Sequence, residues 1–156
     1  MPQKPLNIKA GEPPALPPTV FERSWPSRMD LKQEIMDDVV ELLIGKGWAA
    51  EDDRAWLYLC FDEAVVNAML HGNEGDPRLE VVLSVRVDER HWVVTVADQG
   101  DGFSETAIPD QSQPESLLLE HGRGICIMQE WLDELTYYHG GSTAWLARHR
   151  ADAVSK

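Results

Sequence analysis

Glu63-Ala64-Val65-Val66-Asn67-Ala68-Met69-Leu70-His71-Gly72 sets a carboxylate and an amide inside a run that is otherwise apolar. The apolar character reaches back to Trp56, through Leu57, Leu59, Cys60 and Phe61, and leaves little room for a solvent-facing side. Such a pattern predicts a helix buried nearly all round, where an unpartnered polar group is costly. Glu63 and Asn67 are four residues apart, so they neighbour each other on one helical face, and His71 continues the row. Two readings stand. Asn67 offers an amide oxygen to a hard cation such as magnesium while Glu63 orients or deprotonates a nucleophile. Alternatively, the two form a buried hydrogen-bonded pair that only fixes helix packing.

Two further blocks bear on the choice. Asp98-Gln99-Gly100-Asp101-Gly102-Phe103 ends an apolar strand in an aspartate and then gives up side chains for glycine. A carboxylate there can accept a hydrogen bond from an exocyclic amine such as that of adenine, and glycines let backbone come close to a ligand. The same spacing also serves a plain turn. Gly122-Arg123-Gly124-Ile125 opens another apolar helix. Free amides and the helix dipole favour a phosphate at such a start, and Arg123 can add a charge-assisted contact. A simple loop-to-helix joint is the competing reading. No Gly-x-x-x-x-Gly-Lys loop occurs.

Outward from these blocks, Thr19 to Trp25 reads as a strand. Leu31, Ile35, Val39 and Leu42 recur at helical spacing until Gly45 and Gly47, with Ser27 or Asp30 as a cap. Glu51-Asp52-Asp53 suits the start of the long helix, expected over residues 52–70. Residues 79–87 alternate, with Leu79, Val81, Leu83, Val85 and Val87 on one side, and Trp92 to Ala97 returns as a central strand. Residues 104–121 are polar and aperiodic, a loop long enough to be functional. A third helix is expected over 124–135, then a hairpin of 135–139 and 143–149 around Gly140-Gly141. The order predicts an α+β sandwich whose mostly antiparallel, mixed sheet carries its helices on one face. Domain bounds follow: a disordered Pro-rich arm over 1–18 (Pro2, Pro5, Pro13, Pro14, Pro17, Pro18), one domain over 19–150 and a tail over 151–156.

Composition narrows the function classes. The 156 residues are 43% hydrophobic, enough for one core. No apolar run is long enough for a bilayer, and residues 1–18 lack the apolar stretch of a secretory signal. Cys60 and Cys126 sit in apolar patterns and read as buried free thiols of a cytoplasmic protein. A net charge of −13 disfavours direct nucleic-acid binding. It suits either a basic protein partner or mere solubility.

Taken together and in this order, the blocks resemble the ATPase/kinase superfamily shared by DNA gyrase, Hsp90, histidine kinases and MutL. Within it the chain most resembles the small anti-sigma-factor serine/threonine kinases of bacteria. Glu63 to Gly72 is similar to that family's E-A-x-x-N-A-x-x-H-G box and Asp98 to Phe103 to its D-x-G-x-G-F box. Gly122 to Ile125 is similar to its second glycine box, and Gly141-Ser142-Thr143 to its terminal G-x-T-like turn. The likeness runs over about residues 19–149. It implies a Bergerat-type fold that binds Mg-ATP, with Glu63 as general base, Asn67 as magnesium ligand and Asp98 on adenine. Gly100, Gly102, Phe103, Gly122, Arg123, Gly124, Ile125 and Thr143 would complete the nucleotide site, under a lid of residues 104–121. The implied activity is phosphorylation of a serine or threonine on a STAS-type anti-anti-sigma partner, with a sigma factor as a further partner and a homodimer as an assembly. The lid carries Glu105, Asp110, Glu115 and Glu120 and no Lys or Arg, which keeps open a second reading: a nucleotide-gated protein-binding module with little turnover.

Overall fold

The computed structural model describes residues 7–100 and 122–153. Six strands form one sheet: β1 (Asn7–Ile8), β2 (Thr19–Pro26), β3 (Glu80–Val87), β4 (His91–Ala97), β5 (Glu134–Tyr138) and β6 (Thr143–His149). Their order is β1-β5-β6-β4-β3-β2, parallel only between β1 and β5, so the sheet is mixed and mostly antiparallel. The helices are α1 (Lys32–Gly45), α2 (Arg54–Val66) and α3 (Gly122–Trp131). The architecture is α+β, with the helices on one face of the sheet, as the element order predicts.

Alternation decides which strand residues meet the helices. Val81, Leu83 and Val85 of β3 and Trp92, Val94 and Val96 of β4 enter the main core. Leu57, Phe61 and Val65 recur every four residues on α2 and are fully buried there. Phe61 meets Trp92 edge-to-face with ring centres 6.1 Å apart. Ile35, Val39 and Leu43 do the same for α1, and Tyr58 Oη donates to Asp37 Oδ1 at 2.6 Å to tie α2 to α1.

Several expectations are corrected. Residues 7–18 are not free chain. β1 adds to the sheet edge, Lys9 N donates to Tyr137 O (2.8 Å) and His139 N to Gly11 O (2.9 Å). The segment then passes from the β5 edge to β2 over the sheet's second face. There Arg86 Nη1 donates to Pro14 O at 2.7 Å, and Pro17 lines one shallow pocket with Val93, Trp145 and Ala147. Prolines cannot donate to a ladder, but they accept hydrogen bonds and cover apolar surface, and this face holds a small cluster of Val93, Tyr138, Trp145 and Ala147. The expected tail begins attached, with Ala151 N donating to Trp48 O (2.8 Å).

The long helix is also different. It is not buried all round, since Trp56, Leu59 and Leu70 are 37%, 51% and 44% exposed. Its α-helical part stops at Val66, and Asn67–Gly72 continue as a π-helix. α3 ends at Trp131 rather than 135, and Cys126 is only partly buried, whereas Cys60 is a fully buried free thiol.

Candidate functional site

The Glu63–Asn67 pair sits where α2 changes pitch. Asn67 is the first residue of the π-helical segment, a distortion that recurs at functional sites because it re-aims side chains. Asn67 Nδ2 donates to Glu63 Oε1 at 3.3 Å, so the group Asn67 has to offer a cation is its oxygen Oδ1. Both residues are half-buried. Burial pushes the Glu63 carboxyl above its ordinary range, with Asp62 adding to the rise; the Asn67 hydrogen bond and His71 act against it. A carboxylate whose affinity for a proton is raised while it stays reachable is suited to accept one.

α3 runs antiparallel along this face. Trp131 stacks on Trp56, ring centres 5.9 Å apart and planes within 1°. Seven residues earlier, Gly124 rests on Glu63: a Cβ added there would overlap the Glu63 carboxyl group. The second glycine box therefore touches the carboxylate of the first box, and the N-terminus of α3, with its partial positive charge, opens beside it.

Asp98 follows the last residue of β4 and continues the alternation of Trp92, Val94 and Val96 onto the helix side. Its backbone N donates to Ser142 O and its Oδ1 accepts from Gly100 N, both at 2.8 Å. Burial pushes its carboxyl up from 3.8 to about 6, against the lowering effect of the Gly100 hydrogen bond. Gly72 closes the π-helix directly over it. A Cβ on Gly72 would come 2.7 Å from Asp98 Oδ1, and one on Gly100 would come 2.9 Å from the Gly72 carbonyl carbon. The two boxes meet at a distance that only glycines permit.

The structure thus brings Glu63, Asn67, Asp98, Gly100 and Gly124 into one region, with Gly122 and Arg123 in the first turn of α3. Ile125 is 3% exposed and belongs to the core, where it helps to seat α3. Thr143 departs from expectation. It pairs with Ala97 and Tyr138 in register, and alternation puts its side chain on the Trp145 and Ala147 face, opposite Asp98. Ser142 is the residue level with Asp98. Gly102, Phe103 and the expected lid 104–121 lie outside the described residues. One participant was missed. Asn73, fully buried, links Ser27, Glu80 and Gln99 behind the Asp98 turn; its position before Glu74-Gly75 reads in sequence as turn chemistry only.

Residues 25–148 match the family described as the histidine kinase-like ATPase domain. The chain belongs to that family. Among curated proteins it is similar to anti-sigma F factors. One from Anoxybacillus flavithermus is 34% identical over 105 residues, 63% of this chain and 70% of that protein. One from Halalkalibacterium halodurans is 30% identical with the same coverage. One from Geobacillus thermodenitrificans is 33% identical over 107 residues, 64% and 72% of the two chains.

Membership in the histidine kinase-like ATPase family implies an ATP site, and the residues present fit one. The domain offers a half-buried carboxylate at a strand end, glycines in contact with it, and a helix start beside a second carboxylate. Among the described residues no group of three or more His, Cys, Asp or Glu assembles to hold a metal. Magnesium needs no such cage, since it often binds through one or two protein oxygens with phosphates and waters.

Proposed function

We propose that this domain is an ATP-dependent serine/threonine kinase of anti-sigma type, acting in the cytoplasm on a small STAS-type anti-anti-sigma protein and holding a sigma factor as its second partner. The observation that carries the reading is the contact of Gly124 with the Glu63 carboxyl, because it joins the proposed base to the proposed phosphate-binding helix start. The names of the similar anti-sigma F factors support the partner class.

In this reading Asp98 accepts the exocyclic amine of adenine, and Gly72 and Gly100 let the two boxes pack against that carboxylate. Glu63 takes the proton of the substrate hydroxyl as its oxygen bonds to the terminal phosphorus, and ADP departs with the electron pair of the broken P–O bond. Asn67 Oδ1 would be the protein ligand for magnesium, which would offset phosphate charge. Arg123, at the start of α3, is placed in sequence to add to that charge balance.

The test is transfer of radiolabelled phosphate from ATP to STAS-type proteins copurified with the chain. Label on a partner serine or threonine supports the kinase. Nucleotide-dependent partner binding with no label supports the alternative, a gated binding module with little turnover.

A further inference from the structure

The proposed reaction makes no use of Asn73, yet its buried amide joins four segments of the chain. Asn73 is 0% exposed and directly follows the π-helix. Its Nδ2 donates to Ser27 Oγ at 2.7 Å and to Glu80 O at 2.9 Å, and its Oδ1 accepts from Gln99 N at 2.8 Å. Both amide hydrogens and one oxygen lone pair are thereby engaged. Ser27 is anchored in turn, since its N donates to Leu79 O at 3.0 Å.

Gln99 is the residue after Asp98, and it is held twice. Its backbone N goes to Asn73, and its Oε1 accepts from Glu80 N at 2.6 Å. With Asp98 N on Ser142 O and Gly100 N on Asp98 Oδ1, the peptide units on both sides of Asp98 are fixed. The network runs from the buried Asn73–Ser27 pair out to the exposed Glu80 and Gln99, and its buried end favours one arrangement of its members. Asp at position 73 would lose both donors and face the Glu80 carbonyl with a carboxylate, and Ala would reach none of the three partners.

We propose that Asn73 is the positioning residue for adenine recognition: it holds the Gln99 amide and thereby aims the Asp98 carboxylate at a ligand's 6-amino group. The proposal deepens the adenine reading of Asp98 and rests on it. Asn73 touches no ligand itself. Its effect is on discrimination between purine nucleotides that carry the amine and those that do not.

The experiment measures the affinities of ATP and of purine riboside triphosphate, the analogue with hydrogen in place of the amine, for the whole chain and its Asn73→Ala and Ser27→Ala variants. The wild type is expected to favour ATP on the order of tenfold, the worth of one well-aimed hydrogen bond. Well below its unfolding temperature, Asn73→Ala is expected to lower ATP affinity by about that factor and to leave the analogue unchanged, so that the preference collapses. Ser27→Ala removes one bond from the same amide and is expected to give an intermediate preference; it carries the test if Asn73→Ala does not fold. Equal weakening of both nucleotides, or an unchanged preference in the variants, overturns the proposal and leaves Asn73 as a packing residue. A wild type that binds ATP and the analogue equally overturns it by another route, because the adenine reading of Asp98 has then failed.

Discussion

At the scale of single residues, the site rests on two carboxylates whose surroundings push the same way to different ends. Burial pushes the Asp98 carboxyl up from 3.8 to about 6 in the folded chain. The folded state therefore holds the proton more tightly, and stability falls as pH rises from about 4 to about 6. Above that window the ionised carboxylate is a standing cost. Asp98→Asn removes it while turning an acceptor into a group that can present a donor. The expected result at pH 7.5 is a melting temperature equal to or above wild type together with at least about tenfold weaker ATP binding. Calorimetric titration and thermal melts check both. In the wild type, ATP affinity is expected to drop as pH falls through about 6, because protonation removes the acceptor. Asn67→Ala differs: its nucleotide binding is expected to weaken chiefly when magnesium is present, which titrations with magnesium and with EDTA distinguish.

At the scale of elements, the packing of α3 on α2 sets the distance between the boxes. Gly124→Ala separates two opposed effects. Alanine in a helix gains about 1 kcal/mol over glycine. Here, however, the added Cβ would overlap the Glu63 carboxyl, and forcing atoms into a filled space costs about 1–3 kcal/mol. Overlap is expected to win, so the variant should be less stable in denaturant titrations and impaired in transfer. A stabilised Gly124→Ala would show that α3 does not sit on Glu63. Phe61→Ala opens the layer between α2 and the sheet and is expected to cost about 3–5 kcal/mol, read as a lower urea midpoint.

The elements also show what sequence patterns can and cannot carry. Alternation in residues 80–87 and four-residue spacing in α1 were legible because each follows one period and one buried face. The π-helical turn at Asn67–Gly72 was not, since it leaves the composition of the helix unchanged; it ends where Gly72 packs on Asp98. The solvent exposure of Trp56, Leu59 and Leu70 was hidden for a related reason: apolar residues on every side of a helix mark burial only if something covers every side. The prolines of residues 13–18 signalled a missing ladder. They gave no sign that Pro14 would accept from Arg86 and Pro17 would border the pocket lined by Val93 and Trp145. Thr143 went astray by a single residue of strand register.

At the scale of the whole molecule, 27 acidic residues against 14 basic ones give an electrostatic field that repels phosphate backbones. No nucleic-acid binding is expected at physiological salt, as gel-shift titration checks, and any control of transcription would run through protein contacts. Phosphorylating a docked partner adds nearly two negative charges beside this surface, so the phosphorylated partner is expected to bind more weakly, the difference shrinking as salt rises. The central claim is that the three boxes form one adenine-nucleotide site with Glu63 as its base. Single-turnover phosphotransfer and ATP affinity, measured side by side for the wild type and Glu63→Gln, test it most directly. Transfer is expected to fall by ~10²–10⁴-fold with ATP affinity nearly unchanged. Equal transfer rates in the two proteins would contradict it.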